Sequence, residues 1–246
     1  MKRFLVVIPS YNEELNLPGV LRELLGLRLE TDVLVVNDGS KDRTAAVASE
    51  FPVHVVSHPC NLGYGAALQT GFKYAVKQGY DYVLTLDADG QHNALDLIMI
   101  IKEIERGEAD IVIGSRYIEA LGYTSGPVKR LAVVFFRGLI RLFTKAKISD
   151  PTSGQRGFKR HVFQYYAGSG RFPQDFPDVD VLIHMLLRKY RIKEISATMR
   201  ERKQGVSMHS GLKPIFYMIK MMLCIVLVLI RSKRESYKEA KAGVKA

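Results

Sequence analysis

The chain has no tryptophan, only two cysteines and no uninterrupted apolar run of the roughly 20 residues that a membrane-spanning helix needs. Cys60 and Cys224 lie far apart and lack metal-ligand spacing, so we expect a reducing compartment and no structural disulfide. The apolar run after Lys2 and Arg3 covers only residues 4–8, which is too short for a signal peptide. These absences predict a protein of the cytoplasm or of the cytoplasmic face of a membrane.

Acidic residues are comparatively scarce, and the formal net charge is +11. Such a charge implies an anionic partner, which could be nucleic acid, a membrane surface or a phosphorylated substrate. Residues 120–149 contain no acidic residue at all, and basic and aromatic residues accumulate there. Their helical spacing over 127–147 predicts a basic amphipathic helix that lies in the membrane plane, although a docked helix with a solvated basic edge remains open. The aromatic residues fall on the apolar face, which argues against nucleic acid.

Short apolar runs alternate with helical patterns through the first half of the chain. We predict strands over residues 4–9, 32–38, 53–57, 82–86 and 109–114. This alternation indicates a parallel sheet with helices on both faces. Ligands of such sheets bind beyond the carboxyl ends of the strands. Polar side chains follow three of these strand ends: Asn12 with Glu13, Asp38, and Asp87 with Asp89.

The third of these strand ends has the composition of a divalent-cation site. Asp87 and Asp89 flank Ala88, and a turn at Gly90 can bring Gln91 towards the same point. Carboxylate and amide oxygens suit Mg²⁺ or Mn²⁺ completed by substrate phosphates. The alternative is a carboxylate-rich turn that caps the next helix.

Both familiar glycine-rich phosphate cradles are absent from the sequence. The first predicted loop, at residues 9–13, has no glycine, which excludes a dinucleotide fingerprint there, and no P-loop motif occurs. A pyrophosphate would then need a carboxylate-bound metal to neutralise it. Asp38 is placed like the acid that binds a ribose hydroxyl, and Tyr11 could stack on a base.

The most hydrophobic stretch lies near the C-terminus. It covers residues 214–230, is interrupted by Lys220, and is followed by Arg231, Lys233 and Arg234. We predict a helix at 211–235 that lies in the membrane interface, with a basic disordered tail at 236–246. A core helix and a dimerisation helix are the alternatives.

Several motifs occur together in the order typical of one protein family. They are Val-Ile-Pro9-Ser-Tyr11-Asn-Glu13, Val36-Asn-Asp38-Gly-Ser40, Asn61-x-Gly63-x-Gly65, Asp87-Ala-Asp89-Gly-Gln91-His92, Gly114-Ser-Arg116, Asp150-Pro-Thr-Ser-Gly-Gln-Arg156 and Arg202-x-x-Gly205-x-Ser207. The set resembles the family 2 inverting glycosyltransferases of GT-A fold. Within that family it resembles the polyprenyl-phosphate branch, which holds dolichol-phosphate mannose synthases and bacterial undecaprenyl-phosphate sugar transferases.

The resemblance implies a mostly parallel, mixed α/β sheet over residues 1–210 and inverting transfer of a sugar from a UDP- or GDP-sugar to a polyprenyl phosphate. It also implies a role for each matching residue. The nucleotide-sugar site would comprise Pro9, Tyr11, Glu13, Asp38, Asp87, Ala88, Asp89, Gln91, Arg116 and Arg202, with the metal on Asp87, Asp89 and Gln91. The acceptor phosphate would meet Arg130, Arg137 and Ser153, and the catalytic residues would be Asp89, Arg202 and Asp180.

Three other functions stay open from the sequence. One is a transferase that acts on a glycan hydroxyl, with Asp180 as the base. Asp180 and Asp178 also suit the first turn of a helix, so neither needs a catalytic role. The others are a nucleotide-sugar-binding scaffold without catalysis and a nucleic-acid binder, which the metal motif and the aromatic pattern respectively disfavour.

Overall fold

The computed structural model describes residues 3–119, 127–168, 170, 172–174, 177–200 and 213–243, with only the backbone described for 127–129, 213–217 and 235–243. The described elements, in chain order, are β1 Phe4–Ser10, α1 Leu17–Gly26, β2 Thr31–Asn37, α2 Thr44–Ser49, β3 His54–Ser57, α3 Tyr64–Gln78, β4 Tyr82–Thr85, α4 Asp96–Glu105, β5 Ile111–Ser115, α5 Pro127–Thr144, β6 Arg156–Lys159, α6 Arg160–Ala167, α7 Val179–Leu187, β7 Ile192–Ser196 and α8 Lys213–Gly243.

The strands form one mixed sheet in the order β3-β2-β1-β4-β6-β5-β7. Strand β6 runs antiparallel to both of its neighbours, and the remaining pairs are parallel. The sequence predicts β1 to β5 to within a few residues, and the mixed α/β class is confirmed. It does not predict β6 or β7, because their sequences, RGFK and IKEIS, lack the continuous apolar run of a buried strand.

The central strand β1 is buried over its whole length because both of its faces are covered. Val6 and Ile8 belong to a core cluster that includes residues of α1 and α4. Val7 points to the other face, where a Cβ at Gly71 of α3 would lie 2.4 Å from its Cγ1 atom. Successive residues of a strand face opposite sides, so a strand covered on both sides becomes a continuous apolar run.

The carboxyl ends of β1, β2 and β4 lie at one edge of the sheet. Ser10 pairs with Asn37, and the Asp38 N–H donates to the Ser10 carbonyl at 2.8 Å. On the other side of β1, the Leu86 N–H donates to the Val7 carbonyl at 3.1 Å. The loops after these three strands therefore leave the sheet at the edge that the sequence predicts.

The described elements fall into two compact units. One contains the sheet with α1 to α4 and α6, and the other contains the helices α5, α7 and α8. Within the second unit, α7 packs against both α5 and α8. Helix α5 is amphipathic, as predicted, and buries Val133, Phe136 and Ile140. The predicted boundary at residue 210 lies outside the described residues and stays a prediction.

The C-terminal helix differs from the expected one in its extent. The backbone of α8 is helical to Gly243, whereas the sequence predicts a disordered tail from Ser236. The physical reason is composition, because Lys, Glu and Ala between residues 235 and 242 are strong helix formers. Across the described part of the chain, no helix combines the length and apolar character needed to cross a membrane.

Candidate active site

The turn after β4 gathers the predicted metal ligands. Gly90 adopts a positive φ of 72°, which reverses the chain between Asp89 and Gln91. The Gln91 N–H donates to Asp89 Oδ1 at 3.0 Å, which holds the turn closed. Ala88 is buried between the two aspartates, and both aspartates keep partial exposure. The turn thus places Asp87, Asp89 and Gln91 at the carboxyl edge of the sheet.

Two neighbouring side chains contact the Asp87 carboxylate. The Tyr64 hydroxyl donates to its Oδ1 at 2.8 Å, and His92 Nε2 lies 3.4 Å from its Oδ2. Burial raises the pKa of Asp87, but the hydrogen bond and charge of His92, the Tyr64 hydroxyl and the charge of Arg116 together lower it below its usual value. The carboxylate therefore stays ionised, which is the state that binds a cation.

The donor set fits a hard divalent cation that substrate oxygens complete. No group of three or more His, Cys, Asp and Glu side chains converges anywhere in the described ranges, so a closed protein-only site such as a structural zinc centre is not formed there. Two carboxylates and an amide are a sparse oxygen set, and Mg²⁺ typically uses one or two carboxylates together with substrate phosphates. The ionised Asp87 and the partly exposed Asp89 match that requirement.

The absence of a side chain at Gly154 leaves the space that the Asp87 carboxylate occupies. A Cβ at this position would lie 2.5 Å from Asp87 Oδ2. We expect Gly154→Ala to displace the Asp87 carboxylate while the chain stays folded, because only a side chain must move. A displacement of about 1 Å in a catalytic group can cost roughly 10²-fold in rate. The loss of rate is measured as turnover of a nucleotide-sugar donor, the substrate that the resemblance implies, in the presence of Mn²⁺. Gly19→Ala is the control, since nothing lies within 4 Å of its Cβ position, and wild-type turnover by Gly154→Ala would contradict the prediction.

Asp38 anchors the loop that follows β3. Its Oδ1 accepts the Leu62 N–H and its Oδ2 accepts the Gly63 N–H, each at 2.9 Å. His58 Nδ1 lies 2.7 Å from Oδ1, and its Nε2 lies 2.9 Å from Thr70 Oγ1. Both carboxylate oxygens are thus engaged within the protein. Asp38 therefore holds a loop beside the expected nucleoside site. Its contact with a ribose stays a prediction.

The first two loops at this edge are tied to each other. The Asn12 N–H donates to Ser40 Oγ at 3.0 Å, and the Glu13 N–H donates to Thr44 Oγ1 at 2.8 Å. Tyr11 is exposed at the loop, where it is available to a ligand. Pro9 is buried within β1. Of the predicted nucleoside residues, Tyr11 faces solvent and Pro9 supports the loop from inside the sheet.

The predicted arginines differ in how the structure places them. Arg116 is buried after β5, and its Nη1 lies 3.6 Å from Met199 Sδ. Its positive charge contributes to the low pKa of Asp87, so it acts on the site that the sequence predicts. Arg202 lies outside the described residues.

The predicted acceptor residues divide between the two units. Ser153 is fully buried in the sheet unit, and its hydroxyl donates to the Gly114 carbonyl at 2.6 Å. This geometry does not support a contact between Ser153 and an acceptor phosphate, because its single hydroxyl proton is already used. On α5, Arg137 Nε donates to the Ser149 carbonyl at 2.7 Å, and Arg130 is exposed.

Asp180 lies in the first turn of α7 and is buried. Burial, with a further contribution from the charge of Asp178, raises its pKa from 3.8 to about 7. Its Oδ1 has no hydrogen-bond partner among the described residues. A carboxyl group of this kind can accept or release a proton near neutral pH.

Two residues that contact Asp87 carry no sign of that contact in the sequence. Tyr64 occupies a variable position of the Asn61-x-Gly63-x-Gly65 motif, and Gly154 lies inside the Asp150–Arg156 motif. Both motifs were visible, but nothing in either one indicates contact with a residue at position 87. The one indication that Tyr64 and Gly154 belong to the site is that their motifs occur in the same set as the motif that contains Asp87.

Solved structures of low sequence identity share this fold. Mannosyl-3-phosphoglycerate synthase from Rubrobacter xylanophilus superimposes with a TM-score of 0.69 at 20% identity, over 96% of this chain and 75% of that one. Glucosyl-3-phosphoglycerate synthase from Mycobacterium tuberculosis, crystallised with Mn²⁺ and UDP-glucose, gives a TM-score of 0.65 at 20% identity, over 91% of this chain and 79% of that one. At this identity the similarity shows the fold alone.

Curated relatives are similar over most of their length. Polyprenol monophosphomannose synthase of Mycolicibacterium smegmatis is 32% identical over 85% of this chain and 82% of its own. Undecaprenyl-phosphate mannosyltransferase of Micrococcus luteus is 32% identical over 85% of this chain and 88% of its own. The family model described as glycosyl transferase family 2 matches residues 5–166, which cover β1 from Leu5 onwards, β2 to β6 and the predicted metal turn, defined as residues 87–92. Its match, together with these relatives, shows that the chain belongs to glycosyl transferase family 2.

Proposed function

We propose that this chain transfers a sugar from a nucleotide-diphosphate sugar to a polyprenyl phosphate, with inversion at the anomeric carbon, at the cytoplasmic face of the membrane. The names of the relatives from Mycolicibacterium smegmatis and Micrococcus luteus support this acceptor class. The observation that carries the proposal is the turn at the sheet edge with the ionised Asp87 and the partly exposed Asp89, beside a first loop without glycine. A pyrophosphate bound there requires positive charge that the backbone does not provide.

The donor would be held by residues of both neighbouring loops and of the turn. Pro9, Tyr11, Glu13 and Asp38 would form the nucleoside site, and Asp87, Asp89 and Gln91 would hold Mg²⁺ or Mn²⁺ against the diphosphate. When bound, the cation supplies positive charge that offsets the charge developing on the leaving diphosphate. Arg116 and Arg202 would add to that stabilisation, since guanidinium groups bind phosphate oxygens in a bidentate manner.

The acceptor needs no general base in this reaction. A phosphate oxygen attacks the anomeric carbon on the face opposite the diphosphate, so the new O–C bond forms as the C–O bond to the diphosphate breaks. A phosphomonoester is already largely deprotonated near neutral pH, with a second pKa of about 6. What the acceptor requires is positive charge, and we propose that Arg130 and Arg137 supply it.

The deciding experiment is transfer of radiolabelled sugar to undecaprenyl phosphate. The protein would receive GDP-mannose, UDP-glucose or UDP-N-acetylglucosamine in turn, with Mn²⁺, with Mg²⁺ and with chelator. We expect metal-dependent label in the organic phase with one donor, which would identify the nucleotide and the sugar together. Donor hydrolysis without lipid product would overturn the lipid-phosphate acceptor.

A second candidate acceptor is a glycan hydroxyl, which Asp180 favours. A hydroxyl must lose a proton as it attacks, and a base with a pKa near the working pH is best suited to remove it. The Asp180 carboxyl, with a pKa of about 7, meets that condition. Asp180→Asn separates the two functions: a hydroxyl acceptor predicts loss of turnover with donor binding kept, whereas a lipid phosphate predicts a mild effect.

Helix α5 presents a surface suited to the membrane. Leu131, Val134, Phe135 and Leu142 are exposed and lie on one face of the helix, opposite the buried Val133 and Ile140. Arg130 and Arg141 are exposed along one edge of this apolar stripe, and Lys145 is exposed directly after the helix ends at Thr144. An exposed apolar stripe with a basic edge is typical of a helix in the interface of an anionic membrane.

We expect the double variant Leu131→Glu/Leu142→Glu to lose binding to vesicles that contain anionic lipid. These side chains are 72% and 71% exposed, so their replacement should leave the fold unchanged. Vesicle co-sedimentation at fixed ionic strength measures the effect. Leu15→Glu is the matched control, because Leu15 is 68% exposed and lies in the sheet unit. Equal sedimentation of the double variant and the control would contradict the prediction.

A further inference from the structure

The metal turn is paired with a second segment of the chain, residues 198–200. His92 and Met199 form an antiparallel bridge, and the Arg200 N–H donates to the Gln91 carbonyl at 2.8 Å. In return, Gln91 Nε2 lies 3.5 Å from the Arg200 carbonyl oxygen. Because the amide nitrogen of Gln91 is directed to Arg200, its amide oxygen is left for another partner.

Glu23 of α1 joins both sides of this pairing. Its Oε2 lies 2.6 Å from Arg200 Nη1, and its Oε1 accepts the Ala94 N–H at 3.1 Å. One carboxylate therefore fixes the end of the metal turn and the segment that pairs with it. Helix α1 is itself anchored in the core by Leu21 and Leu24, so Glu23 provides a rigid point of attachment.

A second link acts on the same segment. The Thr198 N–H donates to Asp96 Oδ2 at 2.8 Å, and Asn93 Nδ2 lies 3.2 Å from Thr198 Oγ1. This link fixes Thr198 whatever the residue at position 23, so loss of Glu23 should not release the segment from the sheet unit. Loss of Glu23 is expected to change the positions of Gln91 and Ala94 instead.

We propose that Glu23 and Arg200 are positioning residues that orient Gln91 as an oxygen ligand of the metal–diphosphate complex. The inference rests on the proposed function, because it assigns the turn to a metal. Glu23 and Arg200 touch neither metal nor substrate in this role. They act through the backbone of the turn and through the Gln91 amide, whose nitrogen lies 3.5 Å from the Arg200 carbonyl oxygen, an arrangement that leaves the amide oxygen for the ligand.

If the Glu23–Arg200 pair only stabilised the fold, its loss would lower the melting temperature and leave metal affinity unchanged. Glu23 and Arg200 are 30% and 46% exposed, and ion pairs of such exposure contribute little to stability. Breaking the pair should therefore leave the melting temperature almost unchanged. Replacement of residues that orient metal ligands typically weakens metal binding or activity by about 10–100-fold. A large effect on metal affinity with a small effect on stability distinguishes positioning from simple stabilisation.

The test uses the full chain and Mn²⁺ alone, with free Mn²⁺ followed by electron paramagnetic resonance. We expect Glu23→Ala to weaken Mn²⁺ binding by at least about tenfold. Glu23→Gln should recover part of the loss, since it keeps an acceptor for the Ala94 N–H. Steady-state kinetics should show a fall in kcat that exceeds any change in the KM of the donor. Glu103→Gln is the control, since it breaks another 2.6 Å ion pair, with Lys193, elsewhere in the sheet unit.

The outcomes separate this inference from the proposed function. Wild-type Mn²⁺ affinity and kcat in Glu23→Ala would overturn the positioning role while sugar transfer by the wild type still stands. Weaker Mn²⁺ binding in Glu23→Ala, together with a wild type that transfers no sugar to lipid, would keep the positioning role and overturn the acceptor. Failure of the wild type to bind Mn²⁺ would overturn the positioning role.

Discussion

Asp89→Asn is expected to reduce sugar transfer by at least about 10²-fold, the equivalent of roughly 3 kcal/mol of transition-state stabilisation. The amide keeps the size of the carboxylate and can still accept the Gln91 N–H, which lies 3.0 Å from Asp89 Oδ1 in the wild type. The turn should therefore keep its shape and lose one negative charge. The fall should appear mainly in kcat, with a weaker response of the rate to added Mn²⁺.

The control for this prediction is a carboxylate at the opposite edge of the sheet. Asp81 accepts the Arg3 N–H at 3.0 Å and lies 3.5 Å from Arg160, just before β4 begins. Asp81→Asn removes the same charge far along the strand from the metal turn, and its turnover should match the wild type. Full Mn²⁺-dependent turnover by Asp89→Asn would show that Asp89 is not a metal ligand.

Asp180→Asn is expected to stabilise the protein at pH 8 and to remove a pH dependence that the wild type shows between about pH 4 and pH 7. The folded protein holds a proton on Asp180 up to a pKa of about 7, whereas the unfolded chain releases it near 3.8. The folded state therefore binds more protons across this window, so the free energy of unfolding falls as the pH rises. Above about pH 7 Asp180 is ionised in both states, and its contribution to the free energy of unfolding falls no further.

The expected change in the free energy of unfolding depends on how far the pKa of Asp180 is raised. A displacement of about three pKa units corresponds to an upper limit of about 4 kcal/mol, so we expect a gain of roughly 2–4 kcal/mol for the variant at pH 8. At pH 4 the difference should be small, because folded Asp180 is then uncharged and the pH lies close to the 3.8 at which the unfolded chain releases its proton. Denaturant unfolding of the two proteins at several pH values measures it. Parallel stability curves from pH 4 to pH 8 would contradict a buried Asp180 with a raised pKa.

Much of the sheet and the place of the candidate site could be predicted from local sequence. The run at residues 4–9 is apolar at every position because β1 is covered on both faces, and the actual strand, Phe4–Ser10, extends it by one residue. The aspartates after β4 come directly after the end of such a run, so their position at the carboxyl edge was predictable. The family motifs added the roles of individual residues, which no periodicity could provide.

Strand β6 shows why the rest could not be predicted. Its four residues, Arg156–Lys159, carry no strong strand signal, and the strand forms because β4 and β5 leave a gap that accepts an antiparallel partner. The insertion also brings Gly154 against Asp87. A short polar strand between two buried ones depends on tertiary context more than on its own propensity.

Local sequence was enough to predict the fold class, the edge at which ligands are expected and the residue types of the predicted metal turn, because these depend on short apolar runs and on the polar residues directly after them. Tertiary structure alone decided which groups hold that turn: Tyr64 and Gly154 at Asp87, and Glu23 with Arg200 at Gln91. These contacts join residues that are distant in the chain. Their geometry arises only when helices and strands pack, so no local pattern records it.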